Sequence, residues 1–299
     1  MIIAKELTKV FDGKTALDNI TLTIGQGCIY GLVGSNGSGK STLLRLISGV
    51  YRADGGEISI DGDNCFNNPE IKSQIAFLGD TPYFLPQSNL KEMADLYASM
   101  YSNFDYETYN HLLTVFPLDP KARLSSFSKG MQRQAALILA LSTNPRYLLM
   151  DEAFDGLDVV MRRVLANIVM DSVENRGMTA IIASHNLREL ENVCDHVCVI
   201  HDGNIISNGS IESLRKNIHK VQAAFKNIPE LSVFNSLHVM KSERTGSLLS
   251  LVIKGNEDEI MQFINQLNPL FAECIEPTLE EVFVYELEVC GYDVKNILS

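Results

Sequence analysis

The feature that most constrains the fold of this chain is a glycine-rich loop between an apolar strand and an apolar helix. The stretch GLVGSNGSGKSTLLRLISG runs from Gly31 to Gly49. It fits the phosphate-loop pattern G-x-x-x-x-G-K-[ST] at Gly34, Gly39, Lys40 and Ser41. Glycines let backbone N–H groups turn inward around phosphates, because a Cβ atom there blocks close approach. The loop therefore predicts an α/β fold that binds a polyphosphate.

The residues after the glycines have predicted roles at the phosphates. A helix that begins near Lys40 points its N-terminal dipole at the anion, Lys40 reaches the β- and γ-phosphates, and the Ser41 hydroxyl ligates Mg²⁺. A chance glycine loop is the alternative, but the strand before it and the helix after it argue against chance. The predicted contact residues are Gly34, Ser35, Asn36, Gly37, Ser38, Gly39, Lys40, Ser41 and Thr42.

Two further apolar strands end in polar residues that suit hydrolysis. RYLLMDEAFDGLD, from Arg146 to Asp158, ends its strand in adjacent carboxylates. We expect Asp151 to hold Mg²⁺ and Glu152 to polarise a water for attack on the γ-phosphate, although a lone Asp-Glu pair is more often a solvated turn. MTAIIASH ends in His185, which is either a structural hydrogen-bonding group or a contact to the γ-phosphate beside Glu152. The three polar residues are predicted to share one edge of the sheet.

Composition restricts the partners of the chain. The 299 residues carry 25 Lys+Arg and 37 Asp+Glu, a net charge of −12, which disfavours direct binding to nucleic acid or to an anionic leaflet. The start shows no signal peptide, and apolar runs such as AALILAL are far shorter than a membrane span. Six scattered cysteines suit a reducing cytoplasm, and Cys194 and Cys198 are interpreted as structural thiols. We expect a soluble chain that meets membranes only through a partner.

Between the two halves of the site lies LSSFSKGMQRQAALILAL, and with it the order of motifs resembles the ATP-binding cassette family, the ATP-hydrolysing subunits of ABC transporters. The resemblance covers about the first 210 residues. It implies a P-loop NTPase cassette of class α/β, with a mixed sheet core and a helical subdomain at about 80–142. FSKGMQ is similar to the family signature L-S-G-G-Q, with matches at Ser128 and Gly130 and departures at Lys129 and Met131. In the family these residues cap the ATP bound to the other subunit. An ordinary helix cap at Ser128 remains the alternative.

The resemblance implies five more contact positions. Phe11 falls where the family stacks an aromatic ring on adenine, although a core phenylalanine is the alternative. Asp80 stands where the family usually has a glutamine, and its carboxylate is expected to organise Mg²⁺ or water. Asp158 closes the loop DGLD, through which the two subunits sense each other. Tyr83 and Phe84 are expected to face the membrane partner.

The tail is predicted to form a separate small α+β domain. We place the cassette at 1–216 and this accessory domain at 217–299. The tail pattern predicts a strand at VQAAFK, a hairpin turning near Thr245, a helix at EDEIMQFINQL, a strand at FAECIEP and a last helix after Thr278. EPTLEEVFVYEL resembles the end of cassette subunits from bacterial exporters. No catalytic constellation is apparent there, so we interpret it as a dimerisation or regulatory module.

The sequence thus predicts an ATPase that uses ATP and Mg²⁺. By resemblance, it dimerises on ATP with itself or a second cassette ATPase. It is expected to drive a separate integral membrane permease from the cytoplasmic face of the membrane, exporting a drug, antibiotic or peptide. A soluble cassette ATPase acting on nucleic acid or ribosomes is an alternative, opposed by the single cassette and the charge of −12. A second alternative is a protein that binds nucleotide as a sensor without hydrolysing it, and the presence of both Glu152 and His185 argues against it.

Overall fold

The computed structural model describes residues 1–216 and 218–283. The chain divides into two compact units, one over Met1–Asn208 and one that begins at Gly209. This division lies ahead of the boundary predicted after residue 216, so the short helix just after Gly209 belongs to the second unit. The first unit contains two sheets and the second contains one, and each unit has buried apolar clusters of its own.

The first unit contains an antiparallel sheet built from its N-terminal strands. Strands β1 (Ile2–Phe11), β2 (Lys14–Ile24), β4 (Gly55–Ile60) and β5 (Asp63–Asn64) lie in the order β2-β1-β4-β5. Alternating side chains of β2 are buried, as expected for a sheet with one face on the core. This sheet packs its apolar face into the same core as the phosphate-loop helix.

The second sheet of this unit positions the site. Its strands are β3 (Ile29–Val33), β6 (Ile75–Leu78), β7 (Tyr147–Asp151), β8 (Thr179–Ser184), β9 (His196–His201) and β10 (Asn204–Ser210), in the order β10-β9-β3-β8-β7-β6. Pairing is parallel from β9 through β6. Every residue of β3, β7 and β8 is buried, which explains their continuous apolar sequences. Their carboxyl ends meet at one edge.

Seven helices complete the described part of the first unit: α1 (Lys40–Ile47), α2 (Pro69–Ser73), α3 (Leu90–Met100), α4 (Tyr106–Val115), α5 (Lys129–Ser142), α6 (Val159–Arg176) and α7 (Leu187–Leu190). Helices α3 to α5 form the helical segment predicted at about 80–142. Asn89 begins α3 with a reciprocal capping box to Glu92, and Asp105 caps α4. Polar caps therefore define where these helices start.

The second unit is α+β, as predicted. It contains α8 (Ile211–Arg215), β11 (Ile218–Ala224), β12 (His238–Thr245), β13 (Leu248–Lys254), α9 (Glu257–Gln266) and β14 (Phe271–Ile275). The strands form an antiparallel sheet in the order β12-β13-β11-β14. Ile260 and Ile264 of α9 belong to a buried cluster with Val221 of β11 and Leu251 of β13. The helix therefore covers one face of the sheet.

The last predicted helix begins where expected. Residues 279–283 are helical. Thr278 caps them, because its hydroxyl accepts from the Glu281 N–H at 3.2 Å while the Glu281 carboxylate accepts from the Thr278 N–H at 2.9 Å. The rest of that predicted helix lies outside the described residues. Within the described ranges, no helix is both long enough and apolar enough to cross a bilayer.

Candidate functional site

The phosphate loop lies between the end of β3 and the start of α1, and two of its glycines are sterically required. A Cβ atom on Gly34 would collide with the Ile200 carbonyl and lie 2.5 Å from Ser38 Oγ. Gly39 has a φ of +115°, and a Cβ there would lie 2.8 Å from the Ala16 carbonyl. Neither position has room for a side chain. The close packing around these glycines defines the shape of the loop.

Lys40 lies inside this loop. Its side chain is 4% exposed, and its Nζ donates to the carbonyls of Gly34 at 2.7 Å and Ser35 at 3.1 Å. The same Nζ lies 3.6 Å from Glu152 Oε1. Burial lowers the pKa of Lys40, against the opposing effect of the nearby carboxylates. The loop thus holds a desolvated ammonium group where an anionic phosphate would bind.

Ser41 and Asp151 form a pair that fits a divalent cation. Ser41 Oγ donates to Asp151 Oδ1 at 3.0 Å, which joins the start of α1 to the end of β7. Asp151 is 1% exposed, and its Oδ2 is a buried atom with no hydrogen-bond partner among the described residues. Burial raises the pKa of Asp151, because a desolvated carboxylate is costly. A hydroxyl and an unpartnered carboxylate oxygen are the ligands that Mg²⁺ prefers, so these residues suit that ion.

Glu152 follows Asp151 and turns sharply away from the strand direction. Its φ of 51° is left-handed, and its N–H donates to the Ala183 carbonyl of β8 at 3.0 Å. Its Oε2 accepts from the His185 N–H at 3.3 Å and lies 2.9 Å from His185 Nδ1. Because β7 and β8 are parallel neighbours, the residues after each strand meet. A carboxylate held by a histidine beside a lysine can accept a proton from water.

Arg133 joins two loops at this edge, and the sequence reasoning missed it. Its Nη1 donates to the Glu152 carbonyl, and its Nη2 donates to the carbonyl of Asp80 at 2.9 Å and to its Oδ1 at 3.0 Å. Asp80 was expected to organise Mg²⁺ or water, whereas the structure pairs its carboxylate with this guanidinium. One sequence signal could have indicated Arg133: it lies in the first turns of α5, the helix that begins at the segment similar to the family signature.

Ser128, Gly130 and Asp158 lie at helix starts. Ser128 is exposed and caps α5 by accepting from the Met131 N–H at 3.3 Å, so the ordinary capping role is present. A Cβ on Gly130 would lie 3.0 Å from the Gly156 carbonyl. Asp158 caps α6 through the Met161 N–H at 2.9 Å. In the described residues, no hydrogen bond or ion pair joins these three residues to the phosphate loop.

The remaining predicted residues lie at the surface or in the loop. Phe11 is 38% exposed, contacts Tyr51 edge-on at 5.3 Å between ring centroids, and has Lys9 Nζ at 5.1 Å from its ring centre. It is therefore not a core residue. Asn36 and Gly37 are exposed in the loop, whereas Ser35 and Thr42 are partly buried and Ser38 is fully buried.

Tyr83 and Phe84 border a small aromatic groove. Tyr83 is 78% exposed and Phe84 is half-buried. The groove has a volume of about 280 Å³ and lies between the loop after β6 and helices α3 and α5. Its aromatic lining is Phe77, Tyr83, Phe84, Tyr97 and Tyr101.

Comparison with known proteins agrees with this geometry. Residues 17–155 match the family model described as ABC transporter. The ABC transporter ATP-binding protein YtrB of Bacillus subtilis (strain 168) is 29% identical, over 95% of this chain and 97% of its own. The bacitracin transport ATP-binding protein BcrA of Bacillus licheniformis is 29% identical, over 74% of this chain and 73% of its own. A solved structure of an ATP-binding subunit of an ABC transporter superposes with a TM-score of 0.67 at 27% identity, covering 72% of this chain and 92% of the other.

Proposed function

This chain belongs to the ATP-binding proteins of ABC transporters, a family of ATPases, and we propose that it closes as a dimer on ATP to drive a separate membrane permease. The observation that carries the proposal is the meeting of Lys40, Ser41, Asp151, Glu152 and His185 at one edge of the parallel sheet. Phosphoryl transfer to water requires a positive charge at the phosphates, ligands for a metal ion and a base. We assign these roles to Lys40, to the pair Ser41 and Asp151, and to Glu152.

Each of these residues has a chemical role in the proposal. Lys40 and the loop N–H groups bind the β- and γ-phosphates. Ser41 and Asp151 would hold Mg²⁺, which would supply charge neutralisation at the phosphates. Glu152 accepts a proton of the attacking water as the water oxygen bonds to the γ-phosphorus. The bond from that phosphorus to the bridging oxygen breaks, and ADP and inorganic phosphate are released. His185 holds Glu152 Oε2, 2.9 Å from its Nδ1. Glu152 Oε1, which lies 3.6 Å from Lys40 Nζ, is the oxygen proposed to accept the proton of the water. Asp80 is proposed to act through Arg133 and not at the metal.

The exposed helix start at Ser128 supports a shared site. Ser128 and the following N–H groups lie at the surface, and a helix N-terminus with free donors binds anions. Asp158 is exposed too, as are Val159 at the start of α6 and Val160 after it. We therefore propose that Ser128 and Gly130 cap the nucleotide of a second subunit, and that the Asp158 loop lies at the contact between them.

The aromatic groove supports docking of the permease. Tyr83 is an exposed large aromatic side chain beside the loop that contains Asp80, and the groove next to it is lined by rings. Aromatic residues are enriched at protein interfaces. Arg133 connects this loop to Glu152, so a partner seated at Tyr83 reaches the hydrolytic residues through one side chain.

Export is the proposed direction of transport. The similarity to BcrA, named for bacitracin transport, supports an antibiotic, drug or peptide as cargo. The similarity to YtrB extends over nearly the whole of both chains, the accessory unit included. We propose that the subunit works at the cytoplasmic face of the membrane, held there by the permease alone. The net charge of −12 supports a protein partner over direct contact with nucleic acid or anionic lipid.

Co-purification from detergent-solubilised membranes tests the partnership. The tagged chain should bring down a protein with several membrane spans. Tyr83→Ala should lower its yield, because it removes the proposed docking ring. Tyr106→Ala is the matched control, since Tyr106 is an exposed tyrosine of the same helical subdomain outside the groove. Recovery of ribosomal proteins or RNA in place of a membrane protein would contradict the proposal.

Transport in inside-out vesicles tests the direction. Vesicles that contain the chain and its membrane partner should take up a labelled peptide antibiotic when Mg·ATP is added. Vesicles with the Lys40→Ala chain should not, because the phosphate site is lost. Uptake only in right-side-out vesicles that are loaded with Mg·ATP would show import and overturn the export proposal, while leaving the ATPase assignment intact.

A further inference from the structure

The second unit brings together three side chains that can ligate a metal and that lie far apart in the sequence. His219 is on β11, Cys274 is on β14, and Glu257 is the first residue of α9. In the antiparallel pairing of β11 with β14, Val221 is opposite Cys274. His219 lies two residues before Val221, so it shares a face with Cys274. That face is the one covered by α9, whose first turn carries Glu257.

The donor atoms converge on one point. His219 Nδ1 lies 3.8 Å from Cys274 Sγ and 4.0 Å from Glu257 Oε2, and the three donor atoms are all within 4.8 Å of one another. Tetrahedral Zn²⁺ with bonds of about 2.0–2.3 Å separates its nitrogen, oxygen and sulfur ligands by about 3.3–3.6 Å. The His219–Cys274 and His219–Glu257 separations exceed these values by about 0.2 and 0.7 Å, and the third separation is at most 4.8 Å. Small side-chain rotations would bring the three donor atoms to bonding distance of one ion.

We propose that His219, Glu257 and Cys274 form a binding site for a borderline-soft divalent transition metal of the Zn²⁺ class. A thiolate and a carboxylate supply two negative charges that match the charge of the ion, and a neutral imidazole completes the set. The thiol proton passes to solvent on binding. Sulfur and imidazole ligands select against Mg²⁺ and Ca²⁺, which prefer oxygen, so this site is chemically distinct from the pair Ser41 and Asp151.

The surroundings leave a fourth coordination position open. The three side chains line a cavity of about 790 Å³, together with Ile218 and Pro277. His219 and Cys274 are half-buried, whereas the Glu257 side chain is 59% exposed, so an ion can enter from solvent. Three protein ligands plus water is the arrangement of an open zinc site.

The helix N-terminus beside the site does not prevent cation binding. Asn256 caps α9 by accepting from the N–H groups of Asp258 at 2.9 Å and Glu259 at 3.2 Å, so two of the exposed donors are already satisfied. The first turn is acidic at Glu257, Asp258 and Glu259, which offsets the positive end of the helix dipole. The local charge therefore favours a cation.

Titration of the full chain with Co²⁺, without nucleotide, tests the proposal. Co²⁺ occupies zinc sites, and a cysteine ligand produces a near-ultraviolet sulfur-to-cobalt charge-transfer band. We expect that band at one ion per chain, together with the visible absorption of tetrahedral Co²⁺, and we expect Zn²⁺ to displace it. Absence of the band at saturating Co²⁺ would overturn the proposal.

Variants assign the ligands. Cys274→Ser should abolish the charge-transfer band, and His219→Gln and Glu257→Gln should each weaken Co²⁺ binding at least ~10-fold. Cys28→Ser is the matched control, because Cys28 is another half-buried free thiol, and it should retain the band. Cys290→Ser, at a position outside the described residues, should retain it too. A band lost in either control and kept in Cys274→Ser would overturn the assignment.

A measurement on the unaltered chain covers the case in which a variant fails to fold. Zn²⁺ should protect Cys274 from alkylation, with the modified peptide identified by mass spectrometry, while the labelling of Cys28 stays unchanged. Equal labelling of Cys274 with and without Zn²⁺ would contradict the site. ATP hydrolysis is not the readout here, so this result is independent of the proposed transport function.

Discussion

Asp80 and Arg133 form an ion pair whose charged atoms lie 3.0 Å apart, and the same guanidinium donates to the carbonyl of Glu152. The Arg133 side chain is mostly buried, although the Asp80 side chain is exposed. The loop after β6 and the loop after β7 are therefore joined by a residue of α5. We propose that this connection makes Arg133 a positioning residue for Glu152, the carboxylate proposed to activate water.

Removing Arg133 should lower turnover without a comparable loss of nucleotide affinity. A hydrogen bond to a charged group is worth about 1.5–3 kcal/mol, so Arg133→Gln should reduce kcat about 10–100-fold, with KM changed less. Steady-state phosphate release measures both constants. Lys121→Gln, at an exposed cation of the same helical subdomain, is the control and should behave like the parent.

A double-mutant cycle that adds Asp80→Asn separates the ion pair from the backbone contacts of Arg133, because this substitution removes the charge and keeps the main-chain carbonyl. Since Asp80 is exposed, we expect its single loss to be smaller, with a coupling to Arg133 of about 0.2–1 kcal/mol. Additive effects on kcat in the cycle would show that the pair has no part in positioning Glu152.

Glu152→Gln should still bind ATP but lose most turnover. Losing a general base typically costs ~10²–10⁴-fold, whereas the neutral amide keeps the shape of the side chain. The variant should accumulate as an ATP-held dimer, visible by size-exclusion chromatography with Mg·ATP. His196→Gln, at an exposed histidine away from the site, serves as the control. Hydrolysis at the parent rate would remove Glu152 from its proposed role.

Phe11 should permit GTP to replace ATP. An exposed phenylalanine offers a stacking face and no hydroxyl, so base recognition by stacking is tolerant of the base. We expect kcat/KM for GTP within about tenfold of that for ATP, or ~1.4 kcal/mol of discrimination. Phe11→Ala should weaken both nucleotides alike. A much larger preference for ATP would mean that other groups read the edges of the base.

Mixing two inactive variants should restore activity if each site is shared between subunits. Lys40→Ala damages the phosphate loop, and Ser128→Arg blocks the cap with bulk and charge, so each homodimer should be inactive. In a mixed dimer both lesions fall in one site, and the second site keeps native Lys40 and native Ser128. Phosphate release should therefore reappear on mixing.

The proof of mixing is crosslinking of differently tagged chains, with the permease added if the dimers are weak. If mixed dimers form and activity stays absent, either Ser128 acts within its own chain or hydrolysis at one site requires that both sites be intact. Two copies of the same variant, mixed and re-equilibrated, provide the baseline.

The elements around the phosphate site were predictable because their signals are local. Continuous apolar stretches predicted the buried strands β3, β7 and β8, and polar residues at their ends predicted which side chains meet. The spacing of the glycines predicted a loop without Cβ atoms at these positions, and the structure leaves no room for a Cβ at Gly34 or Gly39. Local capping chemistry likewise predicted the helix start at Thr278.

What sequence reasoning could not supply were contacts between distant segments. Arg133 and Asp80 are 53 residues apart, and no periodicity connects them. His219 and Cys274 are 55 residues apart and meet only through the register of β11 and β14. By contrast, Cys194 and Cys198 are close in sequence, were interpreted as structural thiols, and are buried in the structure. Local patterns predict elements, whereas pairing across a sheet requires the register.

The left-handed backbone at Glu152 has a cost in stability at the same position as the proposed catalytic carboxylate. A non-glycine residue with a φ of 51° costs of order 1–3 kcal/mol, and its neighbours must supply that free energy. Glycine at this position would relax the backbone and remove the base in the same step. The same change would take away the carboxylate beside the buried Lys40 ammonium and His185, so the relief at the backbone is opposed by the loss of these two contacts.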